Sequence, residues 1–346
     1  MGSGRWFRLS IGLVLVIVPL WALFSRLDAI WNGHPAYPTT LLVTVGGGLM
    51  LIAFALYPWR RDPEPNGPPW EADEREADQP GRRNKANRAP DPAERRRRNW
   101  RIAGRILTAV LALLLVGFLF WLRPFEAGAD SLAAMQSDRS VSVVDTPTTI
   151  ELSPVGAAPT VGLVFSPGAR VDSRAYAALL RPVAEAGFLV VILKEPFGLA
   201  ITQVGQAAGP ISEHPEISTW AVGGHSLGGV SAASFAADNP GAVSGLLLWA
   251  SYPNGNLSAD TDLKVESISG TNDGLTTPAD IEQSRAKLPP DTTFTVIDGG
   301  VHAFFADYGE QPGDGQPTID RDTASAQIIE ASTAFLDRLA APVPAG

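Results

Sequence analysis

The chain is 346 residues long, carries a formal net charge of −9 and contains no cysteine. The lack of thiols excludes a cysteine nucleophile, Cys-zinc sites and disulfides, and four histidines are too few for a His-rich metal centre. Most of the arginines fall in one N-terminal segment, so the rest of the chain is acidic, which argues against nucleic acid as its partner.

The first 122 residues carry three long apolar runs. Leu9 to Phe24, preceded by Arg5 and Arg8, predicts a helix over about 6–27. It reaches the roughly 20 residues of a membrane span only if Trp6, Phe7 and a snorkelling Arg8 extend it. No small-x-small cleavage site follows, so a retained helix is expected rather than a signal peptide. Thr40 to Trp59 predicts a second helix over 40–59, where Gly46, Gly47 and Gly48 would let a neighbour approach closely. Ile106 to Leu122 predicts the third, over about 103–122.

Residues 60–101, rich in Pro, Asp, Glu, Asn and Arg, predict a disordered loop. The basic run Arg95 to Arg98 beside an apolar helix puts this loop and the N-terminus in the cytoplasm. The short loop around His34 and everything after Leu122 then lie outside. The same run suits anionic lipid headgroups. Residues 1–124 thus read as a membrane anchor, 125–139 as a tether and 140–346 as one α/β domain.

That domain opens with a predicted antiparallel pair, Val141–Val144 and Thr149–Leu152. Continuous Val/Ile/Leu-rich strands follow at Thr160–Phe165, Phe188–Lys194, Trp220–Gly223, Val243–Ala250, Leu263–Ser269 and Thr292–Ile297. They alternate with helical stretches, among them Ser173–Ala186, Ala279–Leu288 and Thr323–Leu339, while one helix between Gly198 and Ala208 is poorly marked. Such a pattern implies a mostly parallel sheet covered on both faces.

The most informative stretch is Gly224-His-Ser226-Leu-Gly228, a G-x-S-x-G motif between a short strand and a helix. A serine on so tight a turn is held clear of the backbone, and its neighbours two positions away must be small. The alternative is an ordinary Gly-rich turn. Two later loops raise the motif's weight. Gly270-Thr-Asn-Asp273-Gly leaves one strand, and Asp298-Gly-Gly-Val-His302 leaves the last. Ligands of such sheets bind beyond the carboxyl ends of the strands, so each residue emerges where a site would be. The order Ser226, Asp273, His302 is that of an α/β-hydrolase triad. Asp298 is the runner-up acid. His225, adjacent to Ser226 on the turn, should point elsewhere.

In these roles His302 takes the Ser226 proton and Asp273 orients the imidazole. The oxyanion needs two N–H donors: Leu227 is one, and the loop Pro167-Gly168-Ala169 should supply the other. Ala169 is the first choice and Gly168 the second, since Pro167 has no N–H. Phe197, Tyr252, Phe304 and Phe305, with Tyr308, fall on strand-end loops and are candidates for a substrate pocket or for core packing.

From about Ser140 to Leu339 the chain resembles the α/β-hydrolase fold superfamily, through Gly-His-Ser-Leu-Gly-Gly at 224–229 and the loops that carry Asp273 and His302. The resemblance implies an eight-stranded, mostly parallel sheet and a cofactor-free, metal-free serine hydrolase of the esterase/lipase type. Compact dienelactone-hydrolase-like members are similar, although that group uses cysteine where Ser226 stands here. Ser166-Pro-Gly replaces the His-Gly of many members, and the short stretch after Tyr252 leaves no room for a helical cap. A membrane-anchored bacterial subgroup is the nearest likeness. The expected activity is cleavage of a small or medium ester or thioester near the membrane. An amidase or peptidase on the same fold, a silent domain binding a cell-envelope partner, and a membrane transport or scaffold protein are the rivals.

Overall fold

A computed structural model describes residues 3–57 and 91–340. Three of its helices are long and apolar enough to cross a membrane: α1 (Ser3–Ser25), α3 (Ala36–Leu56) and α4 (Pro92–Trp121); a short α2 (Leu27–Asn32) joins the first two. Helices α1 and α3 cross where a Cβ on Gly12 would lie 2.7 Å from the Gly48 carbonyl oxygen. Of the glycine triplet only Gly48 serves this contact; Gly46 and Gly47 meet nothing within 4 Å.

Helix α4 begins earlier than its apolar run. It starts at Pro92, not near 103, so the Arg95–Arg98 run and Arg101 are helical rather than part of a disordered loop. The cause is local: the Asp91 carboxylate accepts the Ala93 N–H at 3.0 Å, Pro92 has a preset φ, and Glu94 sits in the first turn. At 30 residues, or about 45 Å, α4 exceeds a span by its basic first third. The rest of the predicted loop, residues 58–90, lies outside the described residues.

The chain forms two compact units. One holds the described helical segments within 1–22 and 41–121; the other joins residues 23–40 to the part after Trp121. In the second unit the expected tether is docked. Phe125 bridges to Val171, the Gly128 N–H donates to the Asp307 carbonyl at 2.7 Å, and α5 (Ala129–Ala134) is fixed by Ser131, whose hydroxyl donates to the Ala175 carbonyl. These are mostly main-chain contacts, which polar, Gly-containing composition does not reveal.

The strands β1 (Val141–Asp145), β2 (Thr149–Pro154), β3 (Val161–Ser166), β4 (Leu189–Leu193), β5 (Thr219–His225), β6 (Gly245–Trp249), β7 (Lys264–Gly270) and β8 (Thr293–Ile297) form one eight-stranded sheet. Its order is β1-β2-β4-β3-β5-β6-β7-β8, antiparallel only where β2 meets β1 and β4. Alternate residues feed two cores. Leu163, Phe165, Leu247 and Trp249 pack on α6 (Ala177–Glu185) and α10 (Arg321–Ala340). Val164, Val222, Leu246 and Leu248 pack on α8 (Leu227–Asp238). Both faces are therefore dry, as the unbroken apolar strands require. The poorly marked helix after β4 is a series of short 3₁₀ turns leading into α7 (Ala208–Glu213), and α9 (Pro278–Ser284) follows β7.

Candidate active site

Four residues other than glycine have positive φ in the described structure: Arg170 (63°), Phe197 (60°), Ser226 (52°) and Ala250 (43°). They follow β3, β4, β5 and β6 respectively, so strain is concentrated at the carboxyl edge of the sheet. Ser226 is the sharpest case, with ψ −122° between β5 and α8. Its turn is pinned from below: the Ser226 N–H donates to the Trp249 carbonyl at 3.0 Å, and its carbonyl accepts the Ser251 hydroxyl at 2.6 Å. No Cβ fits beside it. One on Gly224 would lie 2.4 Å from the Gly228 carbonyl carbon, and one on Gly228 would lie 2.0 Å from the Ser166 carbonyl oxygen. The second contact also seats the start of α8 against the loop after β3.

Asp273 and His302 come together from the loops after β7 and β8. His302 Nδ1 lies 2.8 Å from Asp273 Oδ2, and both side chains are essentially buried (1% and 0% exposed). A carboxylate only accepts, so Nδ1 is the donor of this bond, and in the neutral imidazole that tautomer leaves Nε2 as the acceptor. The other Asp273 oxygen accepts the N–H groups of Leu275 (2.8 Å) and Thr276 (2.7 Å). Capping does not occupy Asp273, because Thr277 and Asp280 form the box that starts α9. Asp298 accepts a hydroxyl from Thr271 instead and is not the partner of His302.

Sequence reasoning misses Asp314. Its carboxylate accepts N–H groups from Gly274 (3.1 Å), His302 (3.1 Å), Ala303 (2.8 Å) and Gly315 (2.7 Å), tying the acid loop to the base loop. A lone Asp between Gly313 and Gly315 in an irregular loop carries no periodic signal; only the flanking glycines hint at a close approach. The Asn272 amide reaches the same loop, donating to the Gln316 carbonyl at 2.9 Å.

Ser226 Oγ and His302 share no hydrogen bond among the described residues. His302 packs instead on the ring of His225, the neighbour of Ser226, with centroids 4.5 Å apart. Loose nucleophile–base contacts are common before substrate binds. His225 itself is buried, shares a hydrogen bond between its Nδ1 and the Tyr176 hydroxyl at 2.8 Å and stacks on Phe305. Burial first, and then the nearby His302, hold its pKa well below the ordinary histidine value, so it stays neutral.

The oxyanion candidates separate. The Gly168 N–H donates to Tyr176 Oη at 2.7 Å, so the second choice is already engaged. The Ala169 N–H has no acceptor among the described residues, and neither has that of Leu227, the first residue of α8. Of the four pocket candidates, Phe305 is 1% exposed, packed between His225 and Trp249, and belongs to the core. Phe304 is half-buried with the Arg321 guanidinium over its ring at 4.7 Å, and Tyr252 is half-buried after β6. Phe197 lines a small crevice with Glu195 and Arg170. Tyr308 is buried, its hydroxyl donating to Gln311. Among the described residues no cluster of His, Asp and Glu has the makings of a metal site.

Residues 162–326 match the alpha/beta hydrolase family. A search of curated proteins gives no match. Among solved structures the chain is similar to a Thermus thermophilus protein (16% identity, TM-score 0.44), covering 59% of this chain and 99% of that one. It is also similar to a Klebsiella pneumoniae protein described as a dienelactone hydrolase (15%, TM-score 0.43, 57% and 98% covered). A third is a CIB-like hydrolase from Thermoplasma acidophilum (15%, TM-score 0.42, 58% and 98% covered). The family match and the eight-stranded sheet agree: the part of this chain that follows its apolar helices belongs to the α/β-hydrolase superfamily.

Proposed function

We propose that the protein is a membrane-anchored serine hydrolase that cleaves an ester or thioester through Ser226, His302 and Asp273. The observation that carries this reading is the buried Asp273–His302 pair, joined at 2.8 Å on the loops after β7 and β8, together with a serine on a positive-φ turn after β5. His302 Nε2 removes the Ser226 hydroxyl proton as Oγ attacks the carbonyl carbon. Asp273 holds the tautomer and stabilises the imidazolium. The N–H groups of Leu227 and Ala169 receive the developing oxyanion, each contributing roughly 3–4 kcal/mol to lowering the barrier. Collapse expels the alcohol or thiol, which takes the proton from His302, and water repeats the cycle on the acyl-enzyme.

In this reading Arg5, Arg8 and the Arg95–Arg98 run are cytoplasmic and the hydrolase domain lies outside. Three spans put residues 26–35 and the chain after Trp121 on one side, which agrees with their sharing one compact unit. Mixing the full chain in detergent with a p-nitrophenyl ester tests the chemistry. A burst of one p-nitrophenol per protein, absent in Ser226→Ala, is expected; steady release without a burst and unchanged in Ser226→Ala contradicts it.

A further inference from the structure

Both segments that leave the apolar helices in the second unit are bonded to the loop that follows Ala169. From α2, the Asp28 carboxylate pairs with Arg174 Nη2 at 2.7 Å, and the same guanidinium grips Asp172 at 2.7 Å. From the segment after α4, the Phe125 N–H donates to the Arg170 carbonyl at 2.7 Å, and the Asp172 N–H returns to the Phe125 carbonyl at 2.9 Å. Ile30 and His34 line the crevice that Arg170, Glu195 and Phe197 close from the other side. The loops beyond β3 and β4, one of which carries Ala169, are thus fixed to residues only a few positions from the ends of the spans.

Helix α2 has two unlike faces. Ala29 (4%) and Ile30 (2%) are buried and line that crevice, whereas Leu27 (46%) and Trp31 (65%), four residues apart, are exposed together. Chain connectivity keeps α2 at the membrane surface, one residue after α1 ends and three before α3 begins. An exposed Trp and Leu at that depth match the aromatic and aliphatic residues that settle at headgroup level.

We propose that the ester taken by Ser226 belongs to an amphiphile lodged in the bilayer, reached because α2 lies in the membrane interface and holds the site loops there. This rests on the serine-hydrolase reading and adds the substrate class to it.

The test uses the full chain reconstituted in phosphatidylcholine vesicles. One substrate is p-nitrophenyl palmitate carried in the bilayer, the other water-soluble p-nitrophenyl acetate. Turnover of the palmitate ester should follow its mole fraction in the bilayer rather than its bulk concentration, with kcat/KM about tenfold above that for acetate. The double variant Leu27→Asn, Trp31→Asn should lose about fivefold on the vesicle-borne ester and less than about twofold on acetate. Rates that follow bulk concentration, a preference for acetate, equal losses on both substrates, or a change of oligomeric state in the variant would overturn the proposal. The surface-dilution series needs no variant, so misfolding of the double variant leaves the proposal exposed. Fluorophosphonate labelling of Ser226 separates the two claims. A parent that does not label overturns the serine-hydrolase reading itself, whereas a labelled parent indifferent to bilayer mole fraction overturns only the substrate class.

Discussion

On one flank of Ser226, Asp314 gathers four main-chain N–H groups and Asp273 two more, so the acid and base loops are held by charge-assisted hydrogen bonds. On the other flank the loops carrying Ala169 and Phe197 hold strained backbone at Arg170 and Phe197. They are kept there by Tyr176, by the Arg170 N–H donating to the Gly198 carbonyl at 2.7 Å and by the segments that come from the apolar helices. Each positive-φ side chain costs about 1 kcal/mol, which the surroundings must offset. In the proposed mechanism the difference separates two tasks: one flank would hold the proton path, and the other a cleft wall that is bonded to Asp28 and Phe125.

Breaking the proton path should have the largest effect. Asp273→Asn leaves the shape intact but offers His302 an amide, favouring the wrong tautomer, and should lower kcat by about 10⁴-fold. Stopped-flow assay of p-nitrophenyl ester turnover checks it; a loss under about tenfold would remove Asp273 from the triad.

Next comes the clamp. Asp314→Ala strands the N–H groups of both loops and should cost about 10–100-fold in kcat with KM nearly unchanged. Asp314→Asn keeps one acceptor oxygen and should recover part of the loss. An undiminished kcat in Asp314→Ala would show that the loops hold without the carboxylate.

On the oxyanion flank, Tyr176→Phe removes the acceptor of the Gly168 N–H and the hydrogen-bond partner of His225 at once. It should destabilise the domain by about 1–3 kcal/mol, read by thermal denaturation, and lower kcat by about tenfold while Ser226 still labels. Undiminished kcat would mean that Tyr176 does not set the Ala169 loop.

The smallest effect on turnover comes from Glu195, whose removal is read in the pH dependence of stability. Burial raises the Glu195 carboxyl from 4.5 to about 8, against a smaller opposing pull from the Ser166 hydroxyl. The folded state therefore binds one more proton than the unfolded state between these values. This contribution to stability is full below about pH 4.5 and is lost as pH rises towards 8, with a slope of at most about 1.4 kcal/mol per pH unit. Glu195→Gln should flatten the fall in melting temperature between pH 5 and 8, and an unchanged slope would show that the carboxyl is not held neutral.

These flanks also differ in how far the sequence reveals them. Ser226, Asp273 and His302 each leave a strand in a Gly-marked loop, so strand periodicity and turn residues suffice to locate them. The pairing of Asp273 with His302 is the one that chain order leads one to expect. Asp314 gives no such signal because its partners are main-chain N–H groups up to 40 residues away, which impose no residue type at those positions. The docking of Phe125 and Ser131 is hidden for the same reason. The start of helix α4 is obscured because the arginine run outweighs the cap signal in Asp91-Pro92-Ala-Glu94. Gly168 and Ala169 are told apart only by the position of the Tyr176 hydroxyl, which no local pattern specifies.

The central claim is that Ser226 is activated by His302. Fluorophosphonate labelling of the full chain, read by intact mass alongside Ser226→Ala and His302→Ala, tests it most directly. The account predicts one adduct on the parent, none on Ser226→Ala and a collapse of the labelling rate in His302→Ala. A parent that stays unlabelled while folded, or labelling that persists in Ser226→Ala, would contradict it.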